Sequence, residues 1–354
     1  MTSEPVGTAC SRCNRTYAAR IDEPHRCTCG APLELAEIHR PEQLPRGPVR
    51  GLWDFQPALP AGPRIELGAG GTPLVSAPAF DARFKLETCN PTGSFKDRGA
   101  AVVLSRAVGL GVEQLKEDSS GNAGLAIATY AARADIEATI FVPASAAGST
   151  IAAIRATGAD IKPIEGSRSD VATAVVEADA GWYASHAWRP EFYEGTATLA
   201  WELVADHDGR PPDAIVLPVG HGTLFLGLYR GFQRLIAAGL IEDIPRLYAA
   251  QLHGAGSLQE ERTAIGGDVA PGIRIDTPAR REQVLAALEA SGGSLVTVDH
   301  ELVVPARERL AQGGFDVCTT AAVAQVARIQ LRESGIESPD DDVTVVLTGR
   351  PRDR

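Results

Sequence analysis

The chain reads as an α/β protein whose largely parallel sheets are covered by helices on both faces. Three observations predict this. Short apolar runs of strand character alternate with helix-like stretches over most of the chain. Glycine-rich turns follow several of those runs and open the next helix-like stretch. The length, 354 residues with 44% apolar content, suffices for two or three domains with real cores. The strand-like runs are ARFKLE (82–87), ATIFVP (138–143), DAIVLPV (213–219), RLYAAQL (246–252), SLVTVD (294–299) and DVTVVLT (342–348). The helix-like stretches are 96–109, 122–134, 147–157, 168–179, 223–239, 278–290, 301–312 and 319–333. Residues 41–72 are rich in proline and glycine and read as a linker or wrapping arm. The tail GRPRDR reads as frayed.

Net charge is −11, which argues against nonspecific nucleic-acid binding, since that needs cationic surface to displace counterions. No run approaches the roughly 20 apolar residues of a membrane span. The N-terminus has no basic start followed by an apolar stretch, so no secretory signal is expected and the location is read as cytoplasmic. Lysines are few: Lys85, Lys96, Lys116 and Lys162. Amine chemistry therefore has few candidates.

Four of six cysteines precede residue 30. Cys10 and Cys13 form one Cys-x-x-Cys pair; Cys27 and Cys29 form a Cys-x-Cys pair thirteen residues later. Two short chelating turns suit a tetrahedral zinc site that is closed and structural. His25 could replace one thiolate, although two complete pairs make that unnecessary. A metal-free cysteine core is the other reading. Cys89 and Cys318 stand alone and read as small buried apolar residues.

The segment from Glu87 to Gly99 follows a strand and opens a helix. Asn90, Pro91 and Gly93 make a turn, and Ser94 can cap the helix. Lys96 then falls in the first helical turn, where the macrodipole favours anions. A neutral or imine-linked lysine removes that conflict. Lysine amines react with carbonyl cofactors once burial or a cationic neighbour lowers their pKa, and Arg98 is a candidate neighbour. A surface lysine paired with Asp97 or Glu87 is the alternative. Two loops bear on the choice. Ser119-Ser120-Gly121-Asn122-Ala123-Gly124 precedes an apolar helix, and Pro218-Val219-Gly220-His221-Gly222-Thr223 follows an apolar strand and opens another. Such amide-rich turns bind anions at strand ends. Each alone also fits a plain β–α turn. Three such sites together point to one composite cleft.

NPTGSFKDRG (90–99), DSSGNAG (118–124), EGTATLAWEL (194–203), PVGHGTLFLG (218–227), VVLTG (345–349) and the cysteine knuckle together resemble the threonine synthase branch of the fold-type II pyridoxal-phosphate (PLP) enzymes. The resemblance spans nearly the whole chain. It implies a tryptophan-synthase-β-like fold of two parallel-sheet, three-layer domains plus a zinc-ribbon-like module. The division expected is 1–40 for the module, 41–96 with 206–354 for a large PLP-binding domain, and 97–205 for a small α/β domain that could close over substrate. The resemblance also implies roles. Lys96 holds PLP and moves the α-proton. Asn122 bonds the cofactor's phenolic oxygen. Val219, Gly220, His221, Gly222 and Thr223 cradle its phosphate. Thr348 bonds the pyridine nitrogen, and a neutral hydroxyl there favours elimination and replacement over racemisation. A homodimer is expected by the same analogy.

Departures from the pattern concern substrate. Ala123 stands where threonine synthases carry Thr. In the stretch from Arg189 to Thr198, Phe192 replaces a phosphate-binding Arg and Thr196-Ala197 replaces Gln-Lys. Arg189 could compensate from a new position. Val317-Cys318 replaces Glu-Pro, and Arg350-Pro351-Arg352 replaces a glycine-rich finish. His186 lies near the altered site and reads as a substrate contact, an acid–base group or a hydrogen-bonded structural histidine. Trp182, Trp188 and Trp201 are expected to pack cores or seams. The expected activity is PLP-dependent elimination or replacement on a small amino acid, with threonine synthase the first candidate. An ammonia-lyase or β-replacement enzyme is the alternative on the same fold. A non-catalytic protein using its zinc knuckle for partner binding is the rival of another class.

Overall fold

The apolar runs pair into two large sheets in the computed structural model, which describes residues 5–45, 47–60, 64–146, 148–254, 258–259 and 269–352. The chain begins with β1 (Thr8–Cys10), β2 (Thr16–Tyr17) and β3 (Leu33–Leu35), an antiparallel sheet of order β2-β1-β3. Next come β4 (Leu74–Ala77), β5 (Ala82–Lys85), α1 (Lys96–Gly109), β6 (Gln114–Glu117), α2 (Asn122–Arg133), β7 (Glu137–Pro143), α3 (Ser149–Ala156), β8 (Asp160–Ile164), α4 (Arg168–Glu177) and β9 (Trp182–Tyr183). The remainder is α5 (Pro190–Asp206), β10 (Ala214–Pro218), α6 (Thr223–Ala237), β11 (Arg246–Leu252), α7 (Arg281–Ala290), β12 (Leu295–Val298), α8 (His300–Gln312), α9 (Thr319–Glu333) and β13 (Val343–Val346).

One sheet has the order β12-β11-β10-β13-β5-β4, parallel except where β4 joins β5. The other, β8-β7-β6-β9, is parallel throughout. Both faces of the larger sheet are covered, as successive residues show. Ile215 and Leu217 join a core with α5, α6 and α7, while Ala214 and Val216 join another with α9. That alternation follows from the strand period of two. No helix among the described residues is long and apolar enough to cross a membrane.

Helix α5 is absent from the stretches picked by helical periodicity. Its residues from Pro190 to Val204 are all buried, so its polar positions, Glu194, Thr198 and Glu202 among them, meet protein partners rather than solvent. Glycine lets it approach α1. A Cβ on Gly195 would lie 2.0 Å from the Arg98 carbonyl oxygen, and the Phe192 ring occupies the space beside Gly99. The strands β4, β6, β8 and β9 also escape the apolar runs. β6 reads Gln-Leu-Lys-Glu, yet Leu115, Lys116 and Glu117 are all buried.

Buried charge ties these elements together. The Glu202 carboxylate accepts from Lys85 Nζ at 2.6 Å and from Arg98 Nη1 at 2.9 Å. Arg98 Nε and Nη2 also donate to Glu87, at 2.7 and 2.8 Å, and Lys85 Nζ reaches Asp206 at 2.6 Å. Arg98 is thus spent on carboxylates and is not the cation that depresses Lys96. Desolvation works against Glu202, yet Arg98 and Lys85 hold its carboxyl down at about 2. The N-terminal module is latched the same way. Buried Glu23 binds Arg106 and Arg189, and Glu34 binds Arg230 at 2.8 Å and also Arg280.

Removing Glu202 would leave Lys85 with Asp206 and Arg98 with Glu87, each one carboxylate short, inside the core. Glu202→Ala is expected to cost about 3–5 kcal/mol in equilibrium denaturation. Because the folded carboxyl titrates below the ordinary range, this stabilisation is full above pH ~4.5 and is lost as pH falls towards 2.

Candidate active site

The turn of Asn90, Pro91 and Gly93 brings the chain from β5 into α1. Gly93 sits at φ 80°, a left-handed conformation that favours glycine. Asp97 fixes this turn by accepting from the Thr92 amide at 3.0 Å and its hydroxyl at 2.8 Å. Burial, only partly offset by those bonds, pushes the Asp97 carboxyl up to about 7. The Phe95 amide donates to the Thr348 carbonyl at 3.1 Å, so the lysine turn is stitched to the strand end at β13. Ser94 does not cap α1: Phe95 is the N-cap and the Ser94 hydroxyl is buried without a partner.

Lys96 enters a cavity of ≈ 240 Å³ at the C-terminal ends of strands from both sheets. Asn122, Gly220, His221, Gly222, Thr223 and Thr348 line the same cavity. The three loops read from sequence therefore meet. Val219 does not line it. Its amide donates to Ala250 and its carbonyl accepts from Gln251 Nε2 at 2.8 Å, so it belongs to the sheet. Gly222 caps α6 at φ 78°, and a Cβ there would meet Val284 at 2.4 Å. Only glycine permits this entry into the helix, whose first amides have no intrahelical acceptor.

Lys96 lines this cavity and makes no ion pair among the described residues. Asp97 and Glu87, its sequence-level candidate partners, are committed to Thr92 and to Arg98. Desolvation pulls its amine down to about 7, a shift only partly offset by the nearby Glu117 carboxyl. The residues suit a phosphorylated carbonyl cofactor: a neutral-leaning amine, a helix N-terminus for an anion, and the Asn122 and Thr348 side chains in the same cavity. The His221 ring also lines the cavity, and its Nδ1 is buried with no partner.

Two residues escaped the sequence reading. Glu117 ends β6 and its carboxylate meets His186 Nδ1 at 2.5 Å, while the His186 ring lines the cavity. Arg352 donates to Asn122 Oδ1 at 3.0 Å and to the Thr92 carbonyl. Arg350 donates to the Thr88 carbonyl at 2.7 Å, so the tail is docked through 352 rather than frayed, and residues 353–354 lie outside the described residues.

Other expectations are corrected. Arg189 faces away from the cavity: it donates to the Tyr183 carbonyl and to Glu23, each at 2.7 Å, and stacks 3.8 Å over Trp182. It cannot supply the missing phosphate cation. Phe192 is fully buried, and Thr196 donates to the Thr223 carbonyl at 3.0 Å. Cys89 is exposed rather than buried, and Cys318 lines the cavity. The tryptophans pack as expected, with Trp201 donating to the Gly231 carbonyl at 3.0 Å inside the core.

At the N-terminus Cys10, Cys13, Cys27 and Cys29 converge, with all four sulfurs within 4.8 Å of one another. Cys10–Cys29 and Cys13–Cys27 separations are both 3.5 Å. Sulfurs around a tetrahedral zinc at about 2.3 Å stand roughly 3.8 Å apart, so the set fits. His25 is not part of it; its ring packs edge-on against Tyr183 and Trp188.

Comparison with known proteins agrees with this geometry. Residues 65–349 match the family model described as pyridoxal-phosphate dependent enzyme. A threonine synthase of Methanocaldococcus jannaschii is 28% identical over 96% of this chain and 91% of the relative. One from Synechocystis is 30% identical over 85% of this chain and 82% of its own. Among solved structures, an L-serine ammonia-lyase from Rhizomucor miehei superposes with TM-score 0.69 at 23% identity, over 79% of this chain and 94% of that one. Maize serine racemase gives 0.66 at 21% identity, over 80% and 90%. The chain belongs to the pyridoxal-phosphate dependent enzymes of fold type II and is threonine synthase-like.

A lysine near neutrality reacts with aldehydes at lower pH than a solvated one. The rate at which the apoprotein gains visible absorbance on adding PLP is expected to rise with pH through a midpoint near 7. A midpoint near that of free lysine, about 10.4, would contradict the desolvated site.

Proposed function

We propose that the chain catalyses PLP-dependent elimination or replacement on a small amino acid, with Lys96 as the anchoring and proton-moving amine. The observation that carries this is an amine without a counter-ion in the same cavity as Asn122, Thr348 and the start of α6. When bound, the cofactor supplies an electron sink for charge developing at the substrate's Cα. The first amides of α6, from Gly222 onward, hold the anionic end of that group. Asn122 orients its ring, and Arg352 in turn fixes the Asn122 amide by occupying Oδ1. Thr348 would offer that ring a neutral hydroxyl from the cavity wall. Ser119, Ser120 and the amides opening α2 receive the substrate carboxylate. Lys96 takes the α-proton once the substrate amine has displaced it.

Two lobes support closure over substrate: one carries β4, β5 and β10–β13, the other β6–β9. We assign residues 41–96 with 206–354 to the first and 97–205 to the second. The phosphate-holding positions of threonine synthases are altered and turned away here. This favours the ammonia-lyase or β-replacement reading over the phosphate ester used by threonine synthase. A purely non-catalytic role is disfavoured, because burying an unpaired amine costs stability that only its chemistry repays.

The four thiolates suit one structural zinc, which would stabilise a module too small to fold alone.

Lys96→Ala is expected to abolish both visible absorbance and turnover in a screen of serine, threonine, diaminopropionate, O-phosphoserine and O-phosphohomoserine; retained turnover contradicts the assignment. Purified protein is expected to contain about one zinc per chain by elemental analysis. Cys27→Ser should lose it and lower the melting temperature, and a metal-free wild type would contradict the zinc.

A further inference from the structure

The cavity wall holds a pair of groups that this reading leaves without a task. Glu117 is fully buried behind the wall, at the end of β6. Its Oε1 lies 2.5 Å from His186 Nδ1, and its Oε2 has no hydrogen-bond partner. His186 sits on the connection from β9 to α5, and its ring lines the cavity with Lys96. The bond to Nδ1 leaves Nε2 for the cavity, and among the described residues nothing bonds to it. The ring of His221 stands edge-on at 5.1 Å.

Which partner carries the proton decides the use of this pair. Desolvation pushes the Glu117 carboxyl up to about 8, beyond what nearby backbone amides and Lys96 can offset. Desolvation and the charge of Lys96 pull His186 down to about 4. Both groups are therefore neutral near pH 7. A neutral carboxyl donates to Nδ1, which places the imidazole proton on Nε2. The polarity is opposite to that of a hydrolase triad, where a carboxylate accepts from Nδ1–H.

We propose that Glu117 and His186 form a proton relay that protonates the substrate's departing group, and that the substrates are small amino acids bearing a hydroxyl or amine on Cβ. The proposal rests on the elimination reading above. Lys96 takes the α-proton. The electron pair left at Cα becomes the Cα–Cβ double bond as the bond from Cβ to the departing group breaks, and that group leaves with its own pair. It takes the Nε2 proton and departs as water or ammonia. Nδ1 takes the Glu117 proton, leaving a carboxylate beside a neutral imidazole. One proton passing from Lys96 through cavity water to the pair restores the starting state. Hydroxide and amide ions are poor leaving groups and need this acid; phosphate does not. The chain has the acid, and the two positions read as phosphate contacts do not serve here, since Arg189 is held by Glu23 and Phe192 is buried.

The test uses the PLP-loaded full chain with serine, diaminopropionate, O-phosphoserine and β-chloroalanine, whose chloride needs no acid. Keto-acid release and deuterium exchange at Cα are both measured. Wild type is expected to prefer serine or diaminopropionate to O-phosphoserine. Glu117→Gln can still donate to Nδ1 but has no proton to pass on. It is expected to lower kcat on serine by about 100-fold or more, the usual reach of a general acid. Its loss on β-chloroalanine should stay below about tenfold, with α-deuterium exchange retained. His186→Asn, on the cavity wall, should behave alike and keeps the test open if the first variant does not fold. Equal losses on serine and β-chloroalanine, or a wild-type preference for O-phosphoserine, overturn the relay. Absence of α-exchange in wild type overturns the elimination reading itself, and the relay with it.

Discussion

Everything in this site depends on one ammonium group being taken out of water without a counter-ion. Lys85 and Lys96 lie on either side of one turn, and their surroundings differ completely. Lys85 is clasped by Glu202, Asp206 and the Thr72 carbonyl, all within 2.7 Å. Lys96 makes no ion pair among the described residues, and burial draws its amine towards neutrality. The same stretch of chain thus holds one structural lysine and one reactive lysine. The two carboxyl groups beside Lys96 in sequence are spent elsewhere: Glu87 on Arg98, Asp97 on Thr92. The network under α1 serves the site by holding the first helical turn rigid and by keeping its own negative charge away from the amine.

Two distant parts of the chain converge on the wall opposite. The cysteine module reaches it through His25, which packs on Tyr183. Tyr183 donates to Asp118 at 2.7 Å, the neighbour of Glu117. The C-terminal tail reaches the cavity through Arg352 on Asn122. Buried Glu23 fastens Arg106 of α1 and Arg189 ahead of α5 to the module in one cluster. The module is therefore docked on the segment that carries His186, not appended to the chain end.

Much of this was legible in the sequence because it rests on local chemistry. RLYAAQL became β11 and residues 96–109 became α1 with the bounds their patterns imply. The lysine turn and both glycine loops came together because each follows a strand end, where parallel sheets present their ligands. What stayed hidden rests on long-range packing. Helix α5 is enclosed on all sides, so its polar and apolar residues alike are buried. Strand β6 is polar in composition, so Glu117 looked like surface. The direction of Arg189 depends on Glu23, more than 160 residues away in sequence, and no local pattern encodes it. Ser94 has the residue type of a cap, yet the antiparallel bridge between Ser94 and Gly349 turns that position to another use.

The central claim concerns one amine among four lysines, and it can be read directly. Reducing the PLP-loaded protein with borohydride and mapping the cofactor label by peptide mass spectrometry should place it on the peptide containing Lys96. Label on the peptides of Lys85, Lys116 or Lys162, or protein that takes up no label, would contradict the account.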